Sequence, residues 1–372
     1  MIRTSSHLTR FANTGKKDLY QEILEEGRLY LQWWVNYIWE NFVEKDVPLP
    51  IMMATPDVQL PANDLYARVH KCLMNQALGI VKGVVAKNER RKFINKTQNK
   101  NINLKKTSKP IITKKIGLEL NSICAKFEEV DTLEFDGFLV LHSLGKKYGK
   151  IIIPIKNHRH SNKLKDKSET KKPRNSFLCR EDYIDFRWDI PQPQRKSCKE
   201  NIVVGADQGM NKILVMSNGQ VTPDDLNEKY KEVNFKLTRK KKGSKAYYKA
   251  KDHQKNVINQ AINKLSMEGI YEIRLEKLKN MRNGKRTSRY LSHFNYTAID
   301  AKIRQVASEN GVRVTEIPNK FRSQRCNSCG FVHKKNRKLE AFECNSCGHI
   351  DDADLNAAKN LAVLLADISK SV

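Results

Sequence analysis

Four cysteines carry the plainest chemical signal in the chain. Cys326-Asn-Ser-Cys329-Gly330 and Cys344-Asn-Ser-Cys347-Gly348 are two matched knuckles, separated by Phe331 to Glu343. Each tight turn aims two thiolates at one ion, and two knuckles complete a tetrahedral sulfur cage of the kind zinc takes. Four sulfurs leave no position for water, so the metal would be structural, stabilising a segment too short to bury a core of its own. The matching of the two knuckles argues against a redox CxxC. Three carboxylates form a more dispersed set: Asp207 ends an apolar strand pattern, Glu276 ends a second, and Asp354 stands where a helix begins. Singly, each reads as a strand terminus, a solvated face or a helix N-cap. Together they read differently, because a carboxylate closing a buried strand is desolvated unless a cation offsets the cost. Three acids converging from two strands and a helix could hold two Mg²⁺, one activating water and one stabilising the leaving oxygen of a phosphodiester.

Four stretches then set these residues in order. They are Gly205-Ala-Asp207-Gln-Gly209 with a following strand, Ile273-Arg-Leu-Glu276-Lys-Leu278, Phe321-Arg-Ser-Gln324-Arg-Cys326-Asn-Ser-Cys329-Gly330, and Asp354-Leu-Asn356-Ala-Ala358-Lys-Asn360. Over residues 201 to 372 the chain resembles the transposon-encoded RuvC-type nucleases of the TnpB family and the compact type V CRISPR effectors related to them. The resemblance implies an RNase H-like (RuvC) nuclease domain with an inserted zinc ribbon, in a multidomain α/β protein. It assigns Asp207, Glu276 and Asp354 as catalytic, metal-binding acids, and it selects Asp354 over the adjacent Asp351 and Asp352, either of which suits a helix cap. In outline it also implies a β-barrel wedge domain interrupted by a helical recognition domain.

The layout expected from it runs as follows: wedge strands in 1–16, recognition helices in 17–105, the rest of the wedge in 106–190 and a linker in 191–200. The nuclease domain then occupies 201–317, a zinc-ribbon insertion that binds target nucleic acid 318–350, and the closing helix 351–372. The implied activity is RNA-guided DNA endonuclease, a metal-dependent phosphodiester hydrolase with guide RNA and target DNA as partners, two Mg²⁺ and one Zn²⁺. A nuclease-silent RNA-guided repressor and a guide-independent RuvC-like nuclease are the alternatives. All three acids being present argues against the first.

These residues need elements to hold them. Asn201 to Asp207 reads as a buried strand, Lys212 to Met216 as a second, and Asn218-Gly219 as a hairpin signal. A long basic helical stretch over 225–266, broken near Gly243, precedes a strand from Ile270 to Glu276. Then come a helix from Tyr296 to Asn310, a strand from Val312 to Ile317, the cysteine segment, and a last helix from Asp354 to Ile368. Strands followed by alternation with helices indicate a mixed α/β sheet. In the amino-terminal half, helical spacing spans 18–45 and about 64–87, and short β-branched runs occupy Phe135–His142, Lys150–Ile155 and Tyr183–Trp188.

Charge names the class of partner. The 372 residues include 69 Lys and Arg against 41 Asp and Glu, a formal charge of +28. So large an excess opposes compaction unless a polyanion compensates it, which points to nucleic acid. No run of 18 apolar residues exists, so a membrane span is excluded, and the segment Met1 to Lys17 lacks a secretory core and reads as mature protein. Cysteine usage fits the cytosol, here a prokaryotic cytosol or nucleoid, with the chain a monomer or homodimer. Candidate nucleic-acid contacts are Arg239, Lys240, Lys241, Lys242 and Lys245 in the basic helical stretch, where density of charge suits a guide or heteroduplex backbone. Lys285, Arg286 and Arg289 beside Tyr290 form a smaller patch, and Arg322 and Gln324 precede the first knuckle. Arg90, Arg91 and Lys92 lie in a run, Lys82 to Lys115, with twelve basic residues and one acid, Glu89. Trp33, Trp34 and Trp39 read as core, Cys72, Cys124, Cys179 and Cys198 as buried hydrophobes, and His158 with His160 as a solvated basic loop.

Overall fold

Asn13 accepts a hydrogen bond from the Lys16 amide and so starts helix α1 (Thr14–Ile38), which follows strand β1 (Ile2–Leu8). The computed structural model describes all residues except 63, 98–104, 131, 133, 198–201, 279–287, 319–320 and 364–372. It divides into two units, Met1–Pro191 and Gln192–Val372.

In the first unit α1 buries Tyr20, Ile23, Leu31, Trp34 and Ile38 and ends in a π turn, Trp39–Val43. Helix α2 (Ala67–Thr97) runs ten residues beyond the expected end at 87, because Lys, Arg and Glu keep good helical propensity after the apolar stripe stops. Strands β2 (Leu118–Asn121), β3 (Ala125–Glu129), β4 (Gly137–Leu141) and β5 (Ile151–Ile155) are followed by helix α3 (Arg159–Lys167), β6 (Ser176–Cys179) and β7 (Tyr183–Asp189). They form two antiparallel sheets, β1-β7-β6-β2 and β3-β4-β5. At Gly27 an added Cβ would lie 2.2 Å from Leu118 Cδ1, so α1 rests on β2 with no room for a side chain. His158 and His160 are not in a loop: His158 caps α3 by accepting from the Ser161 amide, and His160 sits in its first turn.

The second unit is built on a sheet ordered β11-β10-β8-β9. Its members are β8 (Ile202–Gln208), β9 (Leu214–Met216), β10 (Ile270–Glu276) and β11 (Arg313–Ile317). Strand β10 pairs in parallel with both β8 and β11, while β9 turns back antiparallel. Helices α4 (Asp224–Arg239) and α5 (Lys245–Ile262) form the helical stretch between β9 and β10 and break at Gly243, whose φ of +88° suits glycine. Helix α6 (Tyr296–Glu309) leads into β11, a small sheet of β12 (Arg337–Lys338), β13 (Ala341–Glu343) and β14 (Ile350–Asp352) follows, and α7 (Ala353–Ala362) closes the described chain. Val204, Ala206, Ile258, Ile262, Ile273, Leu275, Ile299 and Ile303 are fully buried in its core. Among the described residues no helix is long and apolar enough to cross a membrane.

The closest approach in this unit fixes α7. A Cβ at Gly205 would stand 2.0 Å from the Ala358 carbonyl oxygen and 2.5 Å from the Ala362 nitrogen, so only a hydrogen fits between β8 and the helix. Gly205→Ala should therefore force α7 off β8 and lower the stability of this unit by roughly 1–3 kcal/mol, the usual cost of overpacking. Thermal unfolding of the variant measures it, and an unchanged midpoint would contradict the packing described.

Candidate catalytic centre and cysteine cage

Side chains alternate along a strand, so Gly205 and Asp207 of β8 share one face. Parallel pairing sets Arg274 opposite Gly205 and Leu275 opposite Ala206, which brings Glu276 level with Asp207 at the carboxyl ends of adjacent strands. Helix α7 lies on this same face, against Gly205 and with Ala362 O accepting from Arg274 Nη1 at 2.6 Å. Its first turn holds Asp354, capped by Asp352, whose Oδ1 accepts from the Asp354 and Leu355 amides. Asp351 instead pairs with Lys359 at 2.7 Å. Two strand ends and one helix start thus bring Asp207, Glu276 and Asp354 around a cleft of about 400 Å³ that Gln208, Arg322 and Arg337 also line.

The three carboxylates surround the cleft without closing on one another. Among the described residues, the one set of three or more metal-ligating side chains whose donor atoms lie within 4.8 Å of each other is the cysteine cluster. The guanidinium of Arg337 stands among them: it donates to Asp354 Oδ1 at 2.7 Å, and its charge also acts on Asp207 and Glu276. Burial, reinforced by the charges of Asp354 and Glu276, pushes the Asp207 carboxyl well above its ordinary range, against Arg337. Burial raises Glu276 too, against Arg322 and Arg337. Gln208 Oε1 is buried with no hydrogen-bond partner among the described residues. Desolvated acids and an orphaned acceptor lining one cleft are the donor set that a hard divalent cation satisfies.

Cys326 and Cys347 sulfurs lie 3.7 Å apart, and Cys329 and Cys344 sulfurs 3.6 Å apart, with all four within 4.8 Å of one another. A tetrahedron of thiolates about 2.3 Å from a central zinc has edges of about 3.8 Å, so the cage has the size of a single-ion site. The knuckles repeat each other: Gly330 N donates to Cys326 O at 3.0 Å and Gly348 N to Cys344 O at 2.9 Å, with φ of +80° and +72° at the glycines. Helix α7 is keyed to the first knuckle. Asn356 donates to Arg325 O at 2.8 Å and accepts from the Asn327 amide, and Asn360 donates to the Arg322 and Arg325 carbonyls. Asn356 is fully buried, so it serves the knuckle backbone and is not free to orient substrate.

The basic candidates divide. Arg239 to Lys242 and Lys245 lie at the α4–α5 turn, and Arg289 joins them by donating to Lys240 O at 3.1 Å. Arg322 is buried, its guanidinium held by the Pro318 and Asn360 carbonyls at the edge of the cleft. Gln324 stands beside the cage, its carbonyl accepting from Asn336. Arg91 donates to Lys105 O and Thr107 Oγ1, Lys92 pairs with Glu89 at 2.9 Å, and Arg90 is exposed. Lys285, Arg286 and Cys198 lie outside the described residues. Sequence reasoning missed Arg337, which belongs to no motif; the signal for it was the need of three converging acids for a counter-charge. It also missed Asn360, although the residue stood inside the last motif.

Two outcomes follow. An acid raised in the folded state binds protons there that the unfolded chain has released, so its stabilising effect is present at low pH and lost as pH rises above about 4 through the raised value. Asp207→Asn should accordingly raise the unfolding midpoint near pH 7, without added divalent cation, by about 2 °C or more, with the gain shrinking towards pH 4. A lowered midpoint would mean that the carboxylate is held by a partner and not strained by burial. Metal analysis of the purified chain should find one tightly held equivalent, and Cys326→Ser and Cys344→Ser, one from each knuckle, should each lose it and destabilise the second unit. Retention of the metal by either variant would break the four-sulfur cage.

Residues 296–361 match the family model described as Cas12f1-like, TNB domain. Over 97 residues the chain is 36% identical to the CRISPR-associated endodeoxyribonuclease Cas12f1 of Sulfoacidibacillus thermotolerans, covering 26% of this chain and 22% of that protein. Over 83 residues it is 33% identical to the Cas12f1 of Syntrophomonas palmitatica, covering 22% and 16%. The chain thus spans about a fifth of the length of the curated relatives it matches. Its fold is similar to that of Cas12f1 in a complex with sgRNA and target DNA, with a TM-score of 0.52 at 14% identity over 94% of this chain and 82% of that one. It is also similar to the mini-RNA-guided endonuclease CRISPR-Cas_phi3, with a TM-score of 0.58 at 9% identity over 97% and 92%. At such identities the two structures establish a shared mixed α/β fold. The chain is thus similar to Cas12f1 proteins over its TNB-like segment and its flanks, and to compact type V effectors in fold.

Proposed function

We propose that the chain is an RNA-guided DNA endonuclease that hydrolyses phosphodiester bonds in a RuvC-type, RNase H-like centre made of Asp207, Glu276 and Asp354. The observation that carries this reading is the convergence of three acids from separate motifs on one cleft, through the parallel pairing of β8 with β10 and the seating of α7 on the same face. The three carboxylates would hold two Mg²⁺, which when bound supply an activated water and charge compensation for the leaving oxygen. Arg337, already in the cleft, is placed to take a phosphate oxygen of the strand to be cut. Arg322 supports the floor of the cleft through its bonds to backbone carbonyls. The cage of Cys326, Cys329, Cys344 and Cys347 holds one Zn²⁺ and, through Asn356 and Asn360, fixes the start of α7 and with it Asp354.

In this reading residues 201–317 and 351–372 form the nuclease domain and 318–350 the inserted zinc ribbon. Residues 1–16 and 106–190 form the wedge around a helical recognition domain at 17–105. The charge of +28 is neutralised by guide RNA and target DNA. Relatives named as endodeoxyribonucleases, and fold relatives whose complexes hold guide RNA and target DNA, support the same activity and partners here.

The test uses the full chain with the RNA that copurifies with it. DNA complementary to that RNA should be cut only when Mg²⁺ is present. Loss of even an outer partner of a metal ligand costs about 10–100-fold, so Asp207→Ala should cut at less than about one hundredth of the rate while still binding DNA. Undiminished cutting by that variant overturns the assignment of the centre. Cutting by a protein that yields no discrete small RNA overturns the guide and leaves a guide-independent nuclease.

A further inference from the structure

The tip of the α4–α5 hairpin differs from the helices that carry it. Along α4 the lysines are neutralised in place: Lys229 pairs with Asp225, Lys231 with Glu228 and Lys236 with Glu232. From Leu237 to Lys251 the balance changes, with seven Lys and Arg and no acid. Lys241, Lys242, Lys245 and Lys249 are exposed and pair with no carboxylate among the described residues. Charge alone would make this a phosphate-binding surface of any kind.

Two aromatic rings at the same tip narrow the choice. Phe235 is 52% exposed and Tyr248 59% exposed, so both rings are open to solvent beside the basic turn. Both are braced. The Arg239 guanidinium lies 4.3 Å from the Phe235 ring centroid, which holds that ring between a cation and solvent. Tyr248 meets Tyr247 edge-on, at 5.7 Å between centroids and 77° between planes. Tyr247 in turn lies 6.0 Å from the His293 ring, so the pair is anchored towards the body of the unit. The turn itself is set by Gly243 and by Ser244, which caps α5 by accepting from the Tyr247 amide at 3.1 Å, and Arg289 ties it down through Lys240 O.

We infer that this tip is a stacking platform for unpaired nucleotides, with Phe235 and Tyr248 taking base faces and Lys241, Lys242, Lys245 and Lys249 taking the phosphates between them. Bases inside a duplex are already stacked and cannot offer a face to a side chain, whereas a single strand offers one at every nucleotide. The platform therefore selects strandedness and not sequence. The inference rests on the nucleic-acid reading above and goes past it, since charge alone at this turn suits a paired backbone as well as an unpaired one. Single-stranded RNA and single-stranded DNA share the chemistry, and the experiment separates them.

The test uses the full chain without divalent cation, fluorescent oligo(U), oligo(dT) and a DNA duplex of equal length. The combined substitution Phe235→Ala and Tyr248→Ala should weaken single-strand binding about 10-fold or more, with duplex binding and the salt slope unchanged. Tyr248→Phe, which keeps the ring, should bind as the unaltered chain does. Lys241→Gln with Lys242→Gln and Lys245→Gln should reduce the salt slope for every ligand. Iodouracil-substituted strands, irradiated in the complex, should crosslink to Tyr248 or Phe235, and whichever of RNA or DNA gives the higher yield is the strand the site takes. Equal losses for single strands and duplex, or no loss at all in the doubly substituted chain, would overturn the platform while leaving the nucleic-acid reading intact. No binding of any nucleic acid by the unaltered chain would overturn both.

Discussion

The second unit depends on a backbone contact that admits no side chain. Helix α7 lies so near β8 at Gly205 that the strand and the helix behave as one layer, and this closeness puts the first turn of the helix beside the end of the strand. The arrangement converts three ordinary positions, two strand termini and a helix start, into a cluster of charge that the protein does not fully neutralise. Burial holds Asp207 and Glu276 towards their protonated forms, with repulsion from Asp354 and Glu276 adding to it at Asp207, and Arg337 and Arg322 supply the compensation. A cleft in this state is poised for cations, because their arrival relieves a penalty that the fold has already incurred.

The cysteine cage and the acids form one mechanical assembly. Asn356 and Asn360 stand one helical turn apart on α7 and grip the carbonyls of Arg322 and Arg325 just ahead of the first knuckle. Arg337 of β12, between the two knuckles, donates to Asp354. A closed sulfur site, with nothing to offer a substrate, thus helps to set the geometry of the open one. The Glu272–Arg274 pair on β10 contributes as well, since Arg274 holds the carbonyl of Ala362 near the far end of the same helix.

Much of this was legible in the residues, for stated physical reasons. The knuckles were visible because four thiolates at matched spacing have few other uses, and the strands bearing Asp207 and Glu276 because buried parallel strands read as apolar runs. The break at Gly243 was legible as a glycine within a helical pattern. Strands β2, β3 and β6 were not, since Leu-Glu-Leu-Asn, Ala-Lys-Phe-Glu-Glu and Ser-Phe-Leu-Cys are too short for alternation to stand out. Helix α3 hid behind a segment whose one large apolar residue is Leu164. The bonds of Asn356 were not legible because its partners, Arg325 and Asn327, come from a loop some thirty residues earlier. Arg337 could not be found by spacing, as its role arises from the folded position of β12.

The seating of α7 also bears on when the centre comes into being. Asp207 and Asp354 are 147 residues apart in the chain, and the helix that brings the second to the first is the last element described. A polypeptide emerging from the ribosome has made β8 and β10 long before it has made their partner. Contacts of such long sequence separation form late. The half-built sheet therefore carries two of the acids without the third, and the cluster of three is completed only when the last described helix has been made.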